Sequence, residues 1–165
     1  MDKKTVFLLL GANLGEREAS IKQATQLISE QISPVGAQSK LYETAPWGVL
    51  DQPAFLNQVL KIETHLLPKT ILRRMLKIEK QLGRERRLRW GARMIDIDIL
   101  YYNDLVLDTI DLSLPHPRLH ERRFTLVPLV EIAPYFVHPI FGKTNKELLE
   151  ECTDTSEVNV YDYDY

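Results

Sequence analysis

The chain has 165 residues, 44% of them hydrophobic and 27% charged, with a formal net charge of −2. That is the composition of a soluble globular protein long enough to bury its own core, and its slight negative charge excludes a general nucleic-acid binder. A lone cysteine, Cys152, excludes an intrachain disulfide and a cysteine-based zinc centre.

The expectation is one domain, 1–165. The N-terminal apolar run ends at Gly11, too short to span a bilayer, and no signal-peptide cleavage pattern follows. A cytoplasmic protein is expected. Thr5 to Leu10 reads as a buried central strand. Gly11-Ala12-Asn13-Leu14-Gly15 is neither a Walker loop nor a dinucleotide fingerprint, and reads as a strand-to-helix turn. Ile21, Ala24, Leu27 and Ile28 give one apolar face to a helix over residues 16–31, stopped by Ser33-Pro34. Val35 to Thr44 reads as one extended strand. Ala45 to Pro53 is a loop carrying Trp47.

The next strand begins Phe55-Leu56-Asn57. With a period of two, Phe55 and Asn57 share a face, where a flat ring beside an amide suits a planar heterocycle. Pro68 opens a helix on which Ile71, Leu72, Met75, Ile78 and Leu82 follow helical spacing, closed by Gly83. Glu79 flanks its core face. Five arginines follow: Arg84, Arg86, Arg87, Arg89 and Arg93.

They precede the most informative stretch, Met94 to Tyr102. Ile95, Ile97 and Ile99 alternate with Asp96 and Asp98. On a strand the isoleucines face a core and both carboxylates the opposite side, roughly 7 Å apart along the chain. Two acids so placed repel and call for a cation. Their oxygens suit Mg²⁺, and guanidinium groups beside them suit phosphate, which is the equipment of phosphoryl transfer. Against this stands the plain alternative of a solvated strand face beside a basic loop.

Asn103-Asp104 reads as a hairpin turn into Leu105 to Leu107. His116 and His120 lie in a proline-rich loop with no acid or third ligand nearby, so a ligand contact by His116 is favoured over zinc. Residues 121–132 read as a helix with Arg122 and Phe124 pointing in different directions, and 146–152 as a short helix capped by Thr144 or Asn145. The acidic tail, residues 153–165, is expected to fray. The element order predicts an α+β, ferredoxin-like βαββαβ core, a mostly antiparallel sheet with helices on one face, plus a C-terminal extension.

Several segments, in one order, are those of a known family. Residues 89–100, Arg-Trp-Gly-Ala-Arg-Met-Ile-Asp-Ile-Asp-Ile-Leu, are the most specific. Leu-Gly-Ala-Asn-Leu-Gly (10–15), Tyr-Glu-Thr-Ala-Pro (42–46), Asp-Gln-Pro-Ala-Phe-Leu-Asn (51–57), Pro-His-Pro-Arg-Leu (115–119) and Arg-Arg-Phe-Thr-Leu-Val-Pro-Leu (122–129) accompany them. On these the chain resembles 6-hydroxymethyl-7,8-dihydropterin pyrophosphokinases of folate biosynthesis. The resemblance implies transfer of the β,γ-diphosphate of ATP to the pterin hydroxymethyl group, releasing AMP. It implies two Mg²⁺ ions on Asp96 and Asp98, with Arg84 and Arg93 catalytic on the phosphates. The pterin would lie between Phe55 and Phe124, read by Asn57 and by Thr44, Ala45, Pro46 and Trp47. Glu79, Arg84, Arg89, Trp90, Arg93, Ile99, Ser113, His116 and Arg122 fall where the family contacts nucleotide. The implied partners are ATP and the pterin, with no nucleic acid, no membrane and a monomeric chain.

The chain departs from the family pattern at Ala12, where serine is common, at Phe55 for tyrosine, and at Pro117 for an aromatic. Two other classes compete. A Mg²⁺-dependent nuclease or nucleotidyl transferase also uses paired acids. An RNA-binding ferredoxin-like sheet would need the RNP aromatics and a basic face, and the sequence has neither.

Overall fold

The computed structural model describes residues 2–45, 54–85 and 95–161. Strand β1 (Lys4–Ala12) is its centre. Val6, Leu8 and Leu10 enter one core, while Phe7 and Leu9 enter a second on the other side of the sheet. This is why the run is continuously apolar rather than alternating. β1 pairs antiparallel with β4 (Phe55–Thr64) on one side and β5 (Asp96–Tyr102) on the other.

The sheet runs β5-β1-β4-β3-β8, with β2 also paired to β4. The last core strand lies beside the first and the third beside the second, the ferredoxin-like order. Helices α1 (Arg17–Gln31) and α2 (Pro68–Glu85) cover one face. Ile21, Ala24 and Ile28 from α1 and Ile71, Met75 and Ile78 from α2 pack there with Ile95, Ile97 and Ile99. The isoleucines of the acid strand therefore face the core, as their alternation predicts. The C-terminal extension adds α3 (Arg123–Ile132) and α4 (Asn145–Glu151) to the opposite face, over Phe7, Leu9, Val59 and Tyr101. Thr144 and Glu147 form a reciprocal capping box at the start of α4.

Four local expectations are corrected. The strand expected over 35–44 is two, β2 (Val35–Gln38) and β3 (Tyr42–Thr44). Between them the Ser39 N–H still donates to the Val59 carbonyl at 2.9 Å, and side chains supply the other bonds. The Val59 N–H donates to Ser39 Oγ, the Gln58 amide to the Ser39 carbonyl, and the Lys40 N–H to the Glu131 carboxylate. The hairpin expected after Asn103 forms later, between β6 (Leu107–Asp108) and β7 (Ser113–Leu114). The helix expected from residue 121 is a single 3₁₀ turn, Leu119–Glu121, then an extended Arg122, then α3.

The fourth concerns the tail. Val158–Val160 is a strand, β8, pairing with β3 in the register Thr44↔Val158 and Tyr42↔Val160. Asp154 accepts the N–H of Arg123, and the Tyr161 N–H donates to Leu41. Residues 153–161 thus close the sheet edge instead of fraying, while 162–165 lie outside the described residues. Among the described residues no helix is long and apolar enough to cross a membrane.

Candidate active site

Strand register assembles the floor of the site. Asp96 on β5 lies across from Gly11 on β1, which lies across from Asn57 on β4 and then Tyr42 on β3. One row down, Asp98 lies across from Leu9 and Leu9 from Val59. The two acids and Asn57 thus share the face away from α1 and α2, about two strand spacings, or roughly 10 Å, apart. Asp96 is exposed and Asp98 half-buried.

Above this floor is a cavity of about 290 Å³. Thr44, Ala45 and Phe55 form one wall, Arg122 and Phe124 the other, with Asn57, Asp96 and Asp98 between. Arg122 and Phe124, expected to diverge, both reach it. Helical spacing would separate them, but Arg122 precedes α3 with extended backbone (φ −118°, ψ 110°). Its guanidinium carbon lies 5.6 Å from the Phe124 ring centroid. Asn57 is 4% exposed, and its amide nitrogen donates to the Leu10 carbonyl at 3.3 Å. The Thr44 hydroxyl is buried with no hydrogen-bond partner among the described residues. Thr44 lines the cavity as a residue, while its hydroxyl oxygen is itself buried in the wall.

A second cavity, again about 290 Å³, lies along the outer edge of β5. Ile97, Ile99, Ser113 and His116 line it, and so does Asp98, which belongs to both cavities. His116 is fixed by its own backbone and ring. Its N–H donates to the Leu100 carbonyl at 2.9 Å, and its Nδ1 accepts the Arg118 N–H at 3.1 Å. The ring proton of the neutral form is then on Nε2. Burial holds the imidazole below its ordinary range; Asp98 opposes this, while Arg122 and Arg118 add to it.

Glu79 reaches from α2 to accept the Ile97 N–H at 2.8 Å, on the strand segment between the two acids. Leu72, Met75, Ile110 and Leu112 also line the second cavity and were missed from sequence. Helical spacing assigns Met75 wholly to core. Ile110 carried a usable signal, an isoleucine flanked by Thr109 and Asp111 in a loop, and it is fully exposed. Arg84 lies in the last turn of α2, and Pro46, Trp47, Arg89, Trp90 and Arg93 lie outside the described residues.

A family model described as 7,8-dihydro-6-hydroxymethylpterin-pyrophosphokinase (HPPK) matches residues 7–134. The chain belongs to this family. The 2-amino-4-hydroxy-6-hydroxymethyldihydropteridine pyrophosphokinase of Aquifex aeolicus is 45% identical over 149 residues, 90% of this chain and 92% of that protein. The Bacillus subtilis protein of the same name is 39% identical over 156 residues, 94% and 89% of the two chains. HPPK sequences also occur within larger proteins. The chain is 39% identical to the folic acid synthesis protein fol1 of Pneumocystis carinii over 154 residues but spans only 21% of its length. A wild-type HPPK-DHPS chain of Plasmodium falciparum superposes with a TM-score of 0.70 at 17% identity, over 90% of this chain and 41% of that one, a likeness of fold. The HPPK reaction, pyrophosphoryl transfer to hydroxymethyldihydropterin in folate synthesis with ATP as co-substrate, is the activity of this chain.

Proposed function

We propose that the cavity between Phe55 and Phe124 holds the pterin, that the cavity at His116 holds ATP, and that the β,γ-diphosphate passes between them at Asp98. The observation that carries this reading is the position of Asp98 in the walls of both cavities. The pterin is planar with hydrogen-bonding edges. Two aromatic walls take its faces, while Asn57, Thr44 and the neighbouring Ala45 take its edge. On the other side, Ile99 and Ser113 line the nucleotide cavity, and His116 presents Nε2–H to a phosphate or ribose oxygen. Arg122, in the pterin cavity and electrostatically felt by His116, is placed for the phosphates, with Arg84, Arg89, Trp90 and Arg93 as further nucleotide-side candidates.

In the reaction the hydroxymethyl oxygen attacks the β-phosphorus, forming one P–O bond as the bond to the α-phosphate oxygen breaks and AMP departs. The hydroxyl proton passes to solvent water as the oxygen becomes the new phosphoester oxygen. Asp96 and Asp98 fit two Mg²⁺ ions. They offer only carboxylate oxygens, and among the described residues no cluster of three His, Cys, Asp or Glu completes a protein-only site, so phosphates and water would fill the remaining positions. Mg²⁺ bound there supplies charge neutralisation of the diphosphate and makes the hydroxyl more acidic. What the chain itself contributes is alignment: two cavities meeting at Asp98 that bring one oxygen in line with one phosphorus. We infer that it works in the cytoplasm as a monomer. The test is AMP release from ATP and Mg²⁺ with and without 6-hydroxymethyl-7,8-dihydropterin. Pterin-dependent AMP supports the reading, and AMP formation indifferent to pterin overturns it.

A further inference from the structure

Arg17 is the first residue of α1. It is put there by the turn after β1, which closes at Gly15 with φ +61°, a conformation that favours glycine, and the Arg17 N–H bonds back to the Gly15 carbonyl at 3.1 Å. From this point its Nη1 donates to Glu43 Oε2 at 2.9 Å and to the Ala54 carbonyl at 2.5 Å. Glu43 is the chain neighbour of Thr44, and Ala54 is the chain neighbour of Phe55. Thr44 and Phe55 are register partners across β3 and β4, and both line the cavity beneath Phe124.

Successive side chains on a strand point to opposite faces. Glu43 therefore faces away from the cavity that Thr44 lines, and Arg17 grips the wall from behind. The outer side of the guanidinium lies against Tyr161, its carbon 5.5 Å from the ring centroid, just past β8. The Arg17 side chain is 19% exposed. A partly buried guanidinium with a carboxylate, a carbonyl and an aromatic face around it is held far better than an exposed surface pair.

We propose that Arg17 is a positioning residue for pterin recognition. It ties α1, β3 and β4 at one point, fixes the spacing of Thr44 and Phe55, and is itself held by the C-terminal strand through Tyr161. It touches no substrate, so its effect falls on pterin affinity and not on the nucleotide. The inference rests on reading that cavity as the pterin site.

The experiment compares wild type, Arg17→Ala, Arg17→Lys, Glu43→Gln and Tyr161→Leu. It measures kcat, KM for each substrate, and pterin binding with a non-hydrolysable ATP analogue present. Arg17→Ala raises the pterin KM and Kd by about tenfold while the ATP KM changes by less than about twofold, the loss expected of one charge-assisted contact. Arg17→Lys restores part of the affinity by keeping the charge near Glu43. Tyr161→Leu weakens pterin binding in the same sense, by less. Should Arg17→Ala not fold, Glu43→Gln keeps the volume and the strand and carries the test, with the same split between substrates. Equal shifts in both KM values, or wild-type pterin affinity in every variant, overturn the proposal. A wild type that binds no pterin in this assay overturns the site reading and the inference with it, a result visible before any substitution is made.

Discussion

A Cβ on Gly11 would lie 2.7 Å from the amide nitrogen of Asn57. A Cβ there forces the end of the Asn57 side chain to move, so the glycine serves here for space and not for backbone freedom. The Asn57 side chain lies across β1 in that space, its nitrogen on the Leu10 carbonyl. Gly11→Ala is expected to push Asn57 out of its position, weakening pterin binding about tenfold at a stability cost of about 1–3 kcal/mol. Pterin titration and urea unfolding of the same variant check both numbers.

Asp98→Asn keeps the size and loses the charge of the side chain that, among the described residues, lines both cavities. With the acid pair holding Mg²⁺ as proposed, turnover should fall on the order of a thousandfold or more, because the metal's charge neutralisation of the diphosphate is lost with its ligand. Near-normal AMP release by a folded Asp98→Asn protein would remove Asp98 from the mechanism.

Glu79 supplies an acceptor to an edge-strand N–H between the two acids. Glu79→Ala leaves the Ile97 N–H without that acceptor and should cost about 1–3 kcal/mol, whereas Glu79→Gln keeps a carbonyl in place and should cost less. Urea midpoints of the two variants separate these cases. Equal midpoints would mean that this hydrogen bond does not hold β5.

His138 is 2% exposed, stacked on Phe141 and edge-on to Tyr101, and its Nδ1 accepts the N–H groups of Ile140 and Phe141. Burial, then the neighbouring His120, push its imidazole down to about 4 from an ordinary 6.5. Between those values the unfolded chain binds a proton that the folded chain refuses, so the His138 contribution is complete above pH 6.5 and is lost as pH falls toward 4. Urea midpoints recorded across this window should fall on acidification, and His138→Gln should flatten that part of the profile.

The α+β core was legible because its signals are local. Ile95, Ile97 and Ile99 alternate with Asp96 and Asp98, and period two admits one arrangement, with the isoleucines in the core. Phe55 and Asn57 were placed on one face for the same reason. What failed depends on distant partners. A run of Val-Gly-Ala-Gln-Ser-Lys reads as one strand until Glu131, far along the chain, takes the Lys40 N–H. Val158-Asn159-Val160 is a short apolar-polar-apolar run inside an acidic tail, and becomes a strand because β3 offers an open edge. Arg122 was misdirected by assuming that helical geometry begins two residues early. Arg17 drew no notice, since a single charge at a helix start is ordinary, and only its partners at Glu43, Ala54 and Tyr161 set it apart.

The pairing of β3 with β8 has a consequence for the order of folding. The hydrogen bonds that finish the strand carrying Thr44 come from residues near the other end of the chain. Loop closure over such a separation is slow, and on the ribosome it waits until residues 158–160 have emerged. The nascent chain can thus bury β1, β4 and α1 well before β8 is available to complete the sheet edge behind the Thr44 wall. Ligand-binding competence should therefore lag behind collapse of the core until residues 158–160 are available, and a chain truncated before Val158 should collapse normally yet hold its ligand poorly.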